Sequence, residues 1–127
     1  MVEKYQVYKC DICGNTISVL FAGGGELVCC GQPMKVQEER TADQGKEKHV
    51  PFVQKSGEQL TVKVGETAHP MTDDHYIMWV DSISDNAETR NYFKPGDTPE
   101  KKFHYKQDLK KIRAYCNIHG LWKEENL

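Results

Sequence analysis

The segment Thr61-Val62-Lys63-Val64 alternates polar and apolar positions with a period of two, as a half-buried strand does. From Glu47 onward the chain keeps returning to β signals. Apolar, β-branched or aromatic residues gather at Val50 to Lys55, Gln59 to Val64, Tyr76 to Ile83, Thr89 to Phe93, Lys101 to Tyr105, Ile112 to Tyr115 and Leu121 to Lys123. Turn residues separate several of these runs: Ser56-Gly57, Gly65, His69-Pro70, Pro95-Gly96 and Gly120. About seven short strands spaced this way predict a small, antiparallel, immunoglobulin-like β-sandwich over residues 47–127. Gln107 to Lys111 is the one candidate helical turn. Ahead of Glu47, Tyr5 to Tyr8 and Thr16 to Phe21 read as short strands, with turns at Gly23-Gly24-Gly25 and Gly31-Gln32-Pro33. Residues 1–36 form a first unit too small to bury much apolar surface, and units of that size usually need a metal or disulfide staple. Residues 37–46 are polar, lack apolar periodicity and read as a linker. The expected class is all-β, in two domains.

Composition narrows the function classes. The chain has 127 residues, 38% hydrophobic and 28% charged, which is globular rather than disordered. A formal net charge of -2, with lysines interleaved among acids, gives no footprint for nucleic acid. No apolar run approaches the roughly 20 residues of a membrane span. Met1-Val2-Glu3-Lys4-Tyr5 lacks the apolar stretch of a secretory signal, so a cytoplasmic location is expected. Thiols stay reduced there, and clustered cysteines then favour metal over disulfides.

The cysteines and histidines are partitioned. Cys10, Cys13, Cys29 and Cys30 form a sulfur-only set in the first unit, while His49, His69, His75, Cys116 and His119 form a nitrogen-rich set in the second. Cys10-Asp11-Ile12-Cys13-Gly14 is a knuckle compatible with zinc ribbons, iron–sulfur proteins or redox thiols. Cys29 and Cys30 are adjacent, and neighbours in an extended chain point to opposite faces. Both reach one ion only if the backbone bends sharply. Structural zinc usually uses spaced pairs, so mononuclear iron is preferred, with zinc as the possible substitute.

In the second set, Cys116-Asn117-Ile118-His119-Gly120 places a thiolate and an imidazole three positions apart in a turn whose N–H groups can reach the sulfur. His69 precedes Pro70 and so avoids helical geometry. Four imidazoles and one thiolate exceed the usual complement of zinc. Five protein ligands with a sixth position open suit iron, with the histidines in a plane and Cys116 axial. An axial thiolate pushes electron density through the metal, as in thiolate-ligated haem.

Tyr8-Lys9-Cys10, Cys13-Gly14-Asn15 and Glu26-Leu27-Val28-Cys29-Cys30-Gly31 resemble desulforedoxin, a small rubredoxin-like iron module. Glu47-Lys48-His49-Val50-Pro51, His69-Pro70-Met71, His75-Tyr76-Ile77 and Tyr115-Cys116-Asn117-Ile118-His119-Gly120 resemble the superoxide reductase module. Nearly the whole chain is therefore similar to the desulfoferrodoxin family of two-iron superoxide reductases, with every ligand position filled. The resemblance implies one-electron reduction of superoxide to hydrogen peroxide without oxygen release. It further implies re-reduction by rubredoxin or a similar small donor, and a homodimer. It implies a role for Glu47, whose matching carboxylate can occupy the open position of ferric iron. Lys48 suits the chemistry physically, since a cation beside the open position attracts an anionic substrate. A zinc-stabilised binding module would leave the histidines and Cys116 without a task. A pure electron carrier would need no exchangeable position. A dismutase would need ready re-reduction by superoxide, which an axial thiolate disfavours.

Overall fold

The computed structural model describes residues 2–41, 49–65 and 69–127. Among them every regular element is a strand or bridge, and no helix is long and apolar enough to cross a membrane. The chain divides into two compact units, Met1–Glu38 and Glu39–Leu127.

The first unit holds five short strands: β1 (Val7–Lys9), β2 (Thr16–Ser18), β3 (Val28–Cys29), β4 (Gln32–Pro33) and β5 (Lys35–Val36). They form an antiparallel sheet in the order β2-β1-β5 and a separate β3-β4 hairpin. The expected strand at Thr16 to Phe21 is shorter than its sequence suggests. It ends at Ser18, because Val19 turns inward while Leu20 and Phe21 stand 78% and 84% exposed. Its partner begins two residues later than expected, at Val7, because Tyr5 adopts a positive φ of 73° that no strand residue holds. The buried apolar set of this unit is small: Val7, Tyr8, Cys10 and Val19.

The second unit contains β6 (Pro51–Ser56), β7 (Gln59–Val64), β8 (Ile77–Ser84), β9 (Glu88–Tyr92), β10 (Glu100–His104), β11 (Leu109–Cys116) and β12 (Gly120–Glu124). Two antiparallel sheets, β10-β7-β6 and β12-β11-β8-β9, share a core of Leu60, Val62, Val64, Ile77, Val80, Phe103, Ile112, Ala114 and Cys116. This is the expected sandwich. The alternation read in β7 is the one observed, with Leu60, Val62 and Val64 buried and Lys63 exposed. The stretch from Gln107 makes no helical turn. Gln107 and Asp108 form a two-residue turn, and β11 starts at Leu109, where pairing with Ser84 of β8 commits the backbone to extension. His104 ends β10 and is exposed, as a strand histidine.

The four-stranded sheet is covered on both faces. Away from the core, Trp79 stacks on Tyr115 with ring centroids 5.5 Å apart, and Asp81 and Arg113 are fully buried. Arg113 grips Asp81 with two parallel bonds, Nε to Oδ1 at 3.0 Å and Nη2 to Oδ2 at 2.8 Å. Burial alone would destabilise either charge, so the pair is tolerable only because its hydrogen bonds are satisfied. Glu88, Arg90 and Glu39 extend the cluster.

Candidate metal centres

The second unit gathers its ligand-bearing residues at one end of the sandwich. His49 precedes β6, His69 follows β7 and His75 precedes β8, while Cys116 closes β11 and His119 sits in the turn before β12. One donor atom from each of these five residues lies within 4.8 Å of all the others. The rings form a closed circuit: His49 to His69 4.6 Å, His69 to His75 4.7 Å, His75 to His119 5.0 Å and His119 to His49 4.9 Å between centroids. The diagonal from His49 to His75 is 6.5 Å, close to √2 times the side. Four imidazoles therefore mark the corners of a near-square. Neighbouring rings are steeply inclined, by 64° to 84°, which keeps them from clashing around a common centre.

His49 Nε2 and His119 Nδ1 approach to 3.1 Å. Two nitrogens each ~2.1 Å from one ion and at right angles lie ~3.0 Å apart, so this spacing suits a shared metal. The Nδ1 of His69 lies 2.8 Å from the carbonyl of Pro70. Donating that N–H fixes the tautomer and leaves Nε2 as the ligand atom. Cys116 is fully buried, 3.9 Å from His119 Nδ1, and its sulfur accepts the backbone N–H of His119 at 3.4 Å. The residues thus fit an ion with four equatorial imidazoles and one thiolate.

Local structure explains the convergence. The pairing of β11 with β8 slips between Tyr115 and Cys116, which frees the chain to turn. Gly120 completes that turn at a φ of 84°. Asn117 then ties the turn to the His75 segment: its Oδ1 accepts from Tyr76 N–H and its Nδ2 donates to the carbonyl of Asp74, both at 3.0 Å. On the far side, Trp122 lies flat against His49, 4.7 Å between centroids and 14° between planes. Neither Asn117 nor Trp122 is singled out by sequence as a supporting residue, because a structural hydrogen bond and an aromatic stack have no spacing rule. Glu47 and Lys48, the residues expected to act on the substrate, lie outside the described residues.

In the first unit the sulfurs of Cys10, Cys13, Cys29 and Cys30 also lie within 4.8 Å of one another, and none is in a disulfide. Cys13 and Cys29 are 3.5 Å apart, and Cys29 and Cys30 are 3.9 Å apart. Thiolates ~2.3 Å from one tetrahedral ion lie ~3.8 Å apart. The sharp bend demanded by adjacent ligands is present: Cys30 has a φ of 52°, in the left-handed region, and Gly31 follows at 74°. A non-glycine residue there carries strain that surrounding structure must hold. Backbone N–H groups of Cys13 and Ile12 pull the Cys10 thiol down to about 7, toward the anionic form a metal requires. Sulfur neighbours, Cys13 first, push the Cys30 thiol up to about 12, a cost that an ion sharing the charge would offset.

A β-sandwich with a four-histidine, one-cysteine centre, preceded by a four-cysteine module, defines a non-haem iron redox protein. The family model described as Desulfoferrodoxin matches residues 41–125, and that for the Desulfoferrodoxin N-terminal domain matches residues 2–36. A desulfoferrodoxin homolog of Archaeoglobus fulgidus is 54% identical over 123 residues, covering 97% of this chain and 98% of its own. The desulfoferrodoxin of Nitratidesulfovibrio vulgaris is 49% identical over 125 residues, covering 98% and 99%. The crystal structure of superoxide reductase from Treponema pallidum superposes with a TM-score of 0.77 at 27% identity, over 94% of this chain and 96% of that one. The chain belongs to the desulfoferrodoxin family.

Proposed function

We propose that this chain is a superoxide reductase acting at the histidine–cysteine centre. The observation that carries the reading is the near-square of imidazoles with Cys116 beside it, fully buried. Iron held there supplies one electron, so that superoxide, that electron and two protons give hydrogen peroxide. The chain's residues do the rest. His49, His69, His75 and His119, with Cys116, would hold the iron, and His69 keeps its tautomer through the carbonyl of Pro70. The Cys116 thiolate supplies negative charge, moderated by the N–H of His119.

Lys48 immediately precedes His49 in the sequence. A cation so close to a ligand would draw an anionic substrate in, raising association roughly 10-fold or more. It would also organise water for proton delivery. Glu47 is assigned to product release. Re-reduction is assigned to rubredoxin or a comparable small electron donor, and the working state to a homodimer. The four-cysteine centre, with all four thiolates engaged, has no position for substrate and serves chiefly as the staple of its unit.

The test exposes anaerobically prepared, iron-loaded, reduced protein to a measured superoxide pulse. Oxidised iron and peroxide without enzymatic oxygen are expected. Equal peroxide and oxygen would mean dismutation, and peroxide no faster than in a metal-free control would overturn the catalytic reading.

A further inference from the structure

Glu39 and Arg40 fall in the polar stretch that reads as linker, yet both are fastened to the sandwich. Arg40 pairs with Trp122 in a parallel bridge, its N–H donating to the carbonyl of Leu121 at 3.0 Å and its carbonyl accepting from Lys123 N–H at 2.8 Å. Its guanidinium lies 5.5 Å from the Trp122 ring centroid, within the range of a cation–π contact. Glu39 anchors the same segment through Lys111 Nζ at 2.7 Å, Arg113 Nη1 at 3.2 Å and Lys123 Nζ at 3.7 Å. Trp122 in turn is 2% exposed and stacked on His49. Its indole N–H has no hydrogen-bond partner among the described residues, so the ring is held by its faces and edges rather than by its polar atom.

We propose that Trp122, braced by the Glu39–Arg40 strap, is the positioning residue that fixes the plane of the His49 imidazole at the metal centre. A histidine ring can turn about its side-chain bonds, and a ligand held in one orientation binds metal more tightly than one that must be ordered on binding. His69 is oriented by a hydrogen bond to Pro70, and Trp122 does by stacking for His49 what that bond does for His69. Arg40 keeps the indole from sliding, so its influence on the metal is indirect and smaller. The segment just before residue 42 is then part of the support of the centre rather than a spacer.

The inference rests on the reading that these five residues hold the metal, and its test is independent of superoxide chemistry. Cobalt(II) titration against a competing chelator reports the affinity of the second centre, with the four-cysteine centre as internal control. Binding there that disappears in His49→Ala establishes the ligand set separately. Trp122→Leu is expected to lower that affinity about 10-fold, the scale seen when an outer support of a metal ligand is lost. It should also broaden the electron paramagnetic resonance of the ferric centre as the imidazole samples several orientations. Arg40→Ala should give a smaller loss and Arg40→Lys should restore it. Should Trp122→Leu not fold, Arg40→Ala and its recovery in Arg40→Lys carry the test. A fall in thermal stability with affinity and resonance unchanged would make Trp122 a packing residue only and overturn the proposal.

Discussion

Replacing Arg113 by leucine tests the buried cluster behind the strand that ends in Cys116. The side chain makes two bonds to Asp81, one to Glu88 and one to Glu39. Removing one partner of a buried pair typically costs ~3–5 kcal/mol, because the remaining charge is left in the interior. Arg90 lies 3.2 Å from Asp81 and continues to offset part of that charge. The expected loss is therefore ~3 kcal/mol, the lower end of that range. With a urea dependence of ~2 kcal/mol per molar, the midpoint should fall by ~1.5 M. Tryptophan fluorescence is the assay, since Trp79 and Trp122 both lie in the larger unit and report on it alone. The paired substitution Asp81→Leu, Arg113→Leu removes both buried charges and should recover much of the loss. A midpoint shift below ~0.5 M, or a double variant no more stable than Arg113→Leu, would refute the assignment of the loss to an uncompensated carboxylate.

Cys116→Ser should abolish the visible charge-transfer band of the ferric second centre; a band that persists would mean the sulfur is not the ligand. Lys48→Ile should slow superoxide capture about 10-fold and flatten its salt dependence at unchanged metal content, read by pulse radiolysis; an unaltered second-order rate would remove the steering role. Burial pushes the Glu39 carboxyl up, but the hydrogen bond and charge of Lys111, with Arg113, outweigh it and hold the group below its ordinary value. Its stabilisation is thus full above the unfolded carboxylate range and is lost as pH falls through the lowered value, so Glu39→Gln should flatten the acid limb of stability against pH.

The ligands were legible in the sequence because metal chemistry constrains residue type as well as place. Cys29 and Cys30, side by side, required a backbone bend, and the positive φ at Cys30 is that bend. The strands of the sandwich were legible where one face is buried, as in β7. In β8 and β11 the strands were legible but their burial was not: both faces are covered, and Asp81 and Arg113 hide charge in positions that alternation reads as solvent-facing. Leu20 and Phe21 mislead in the other direction: they are apolar but exposed, because a unit stapled by a metal has too small a core to take them.

What sequence cannot express is orientation. A ligand residue is visible because its chemistry is scarce, whereas the group that aims it is drawn from ordinary vocabulary. Asn117 joins the Cys116 turn to the His75 segment through an amide that any loop could carry. Trp122 meets His49 as one more aromatic in a strand, and Glu39 and Arg40 act from a stretch whose polarity alone suggests a spacer. Each works through a contact made across the fold, so none leaves a local pattern. The affinity and spectrum of the second centre should therefore be most sensitive, after the ligands themselves, to residues that motif reading passes over.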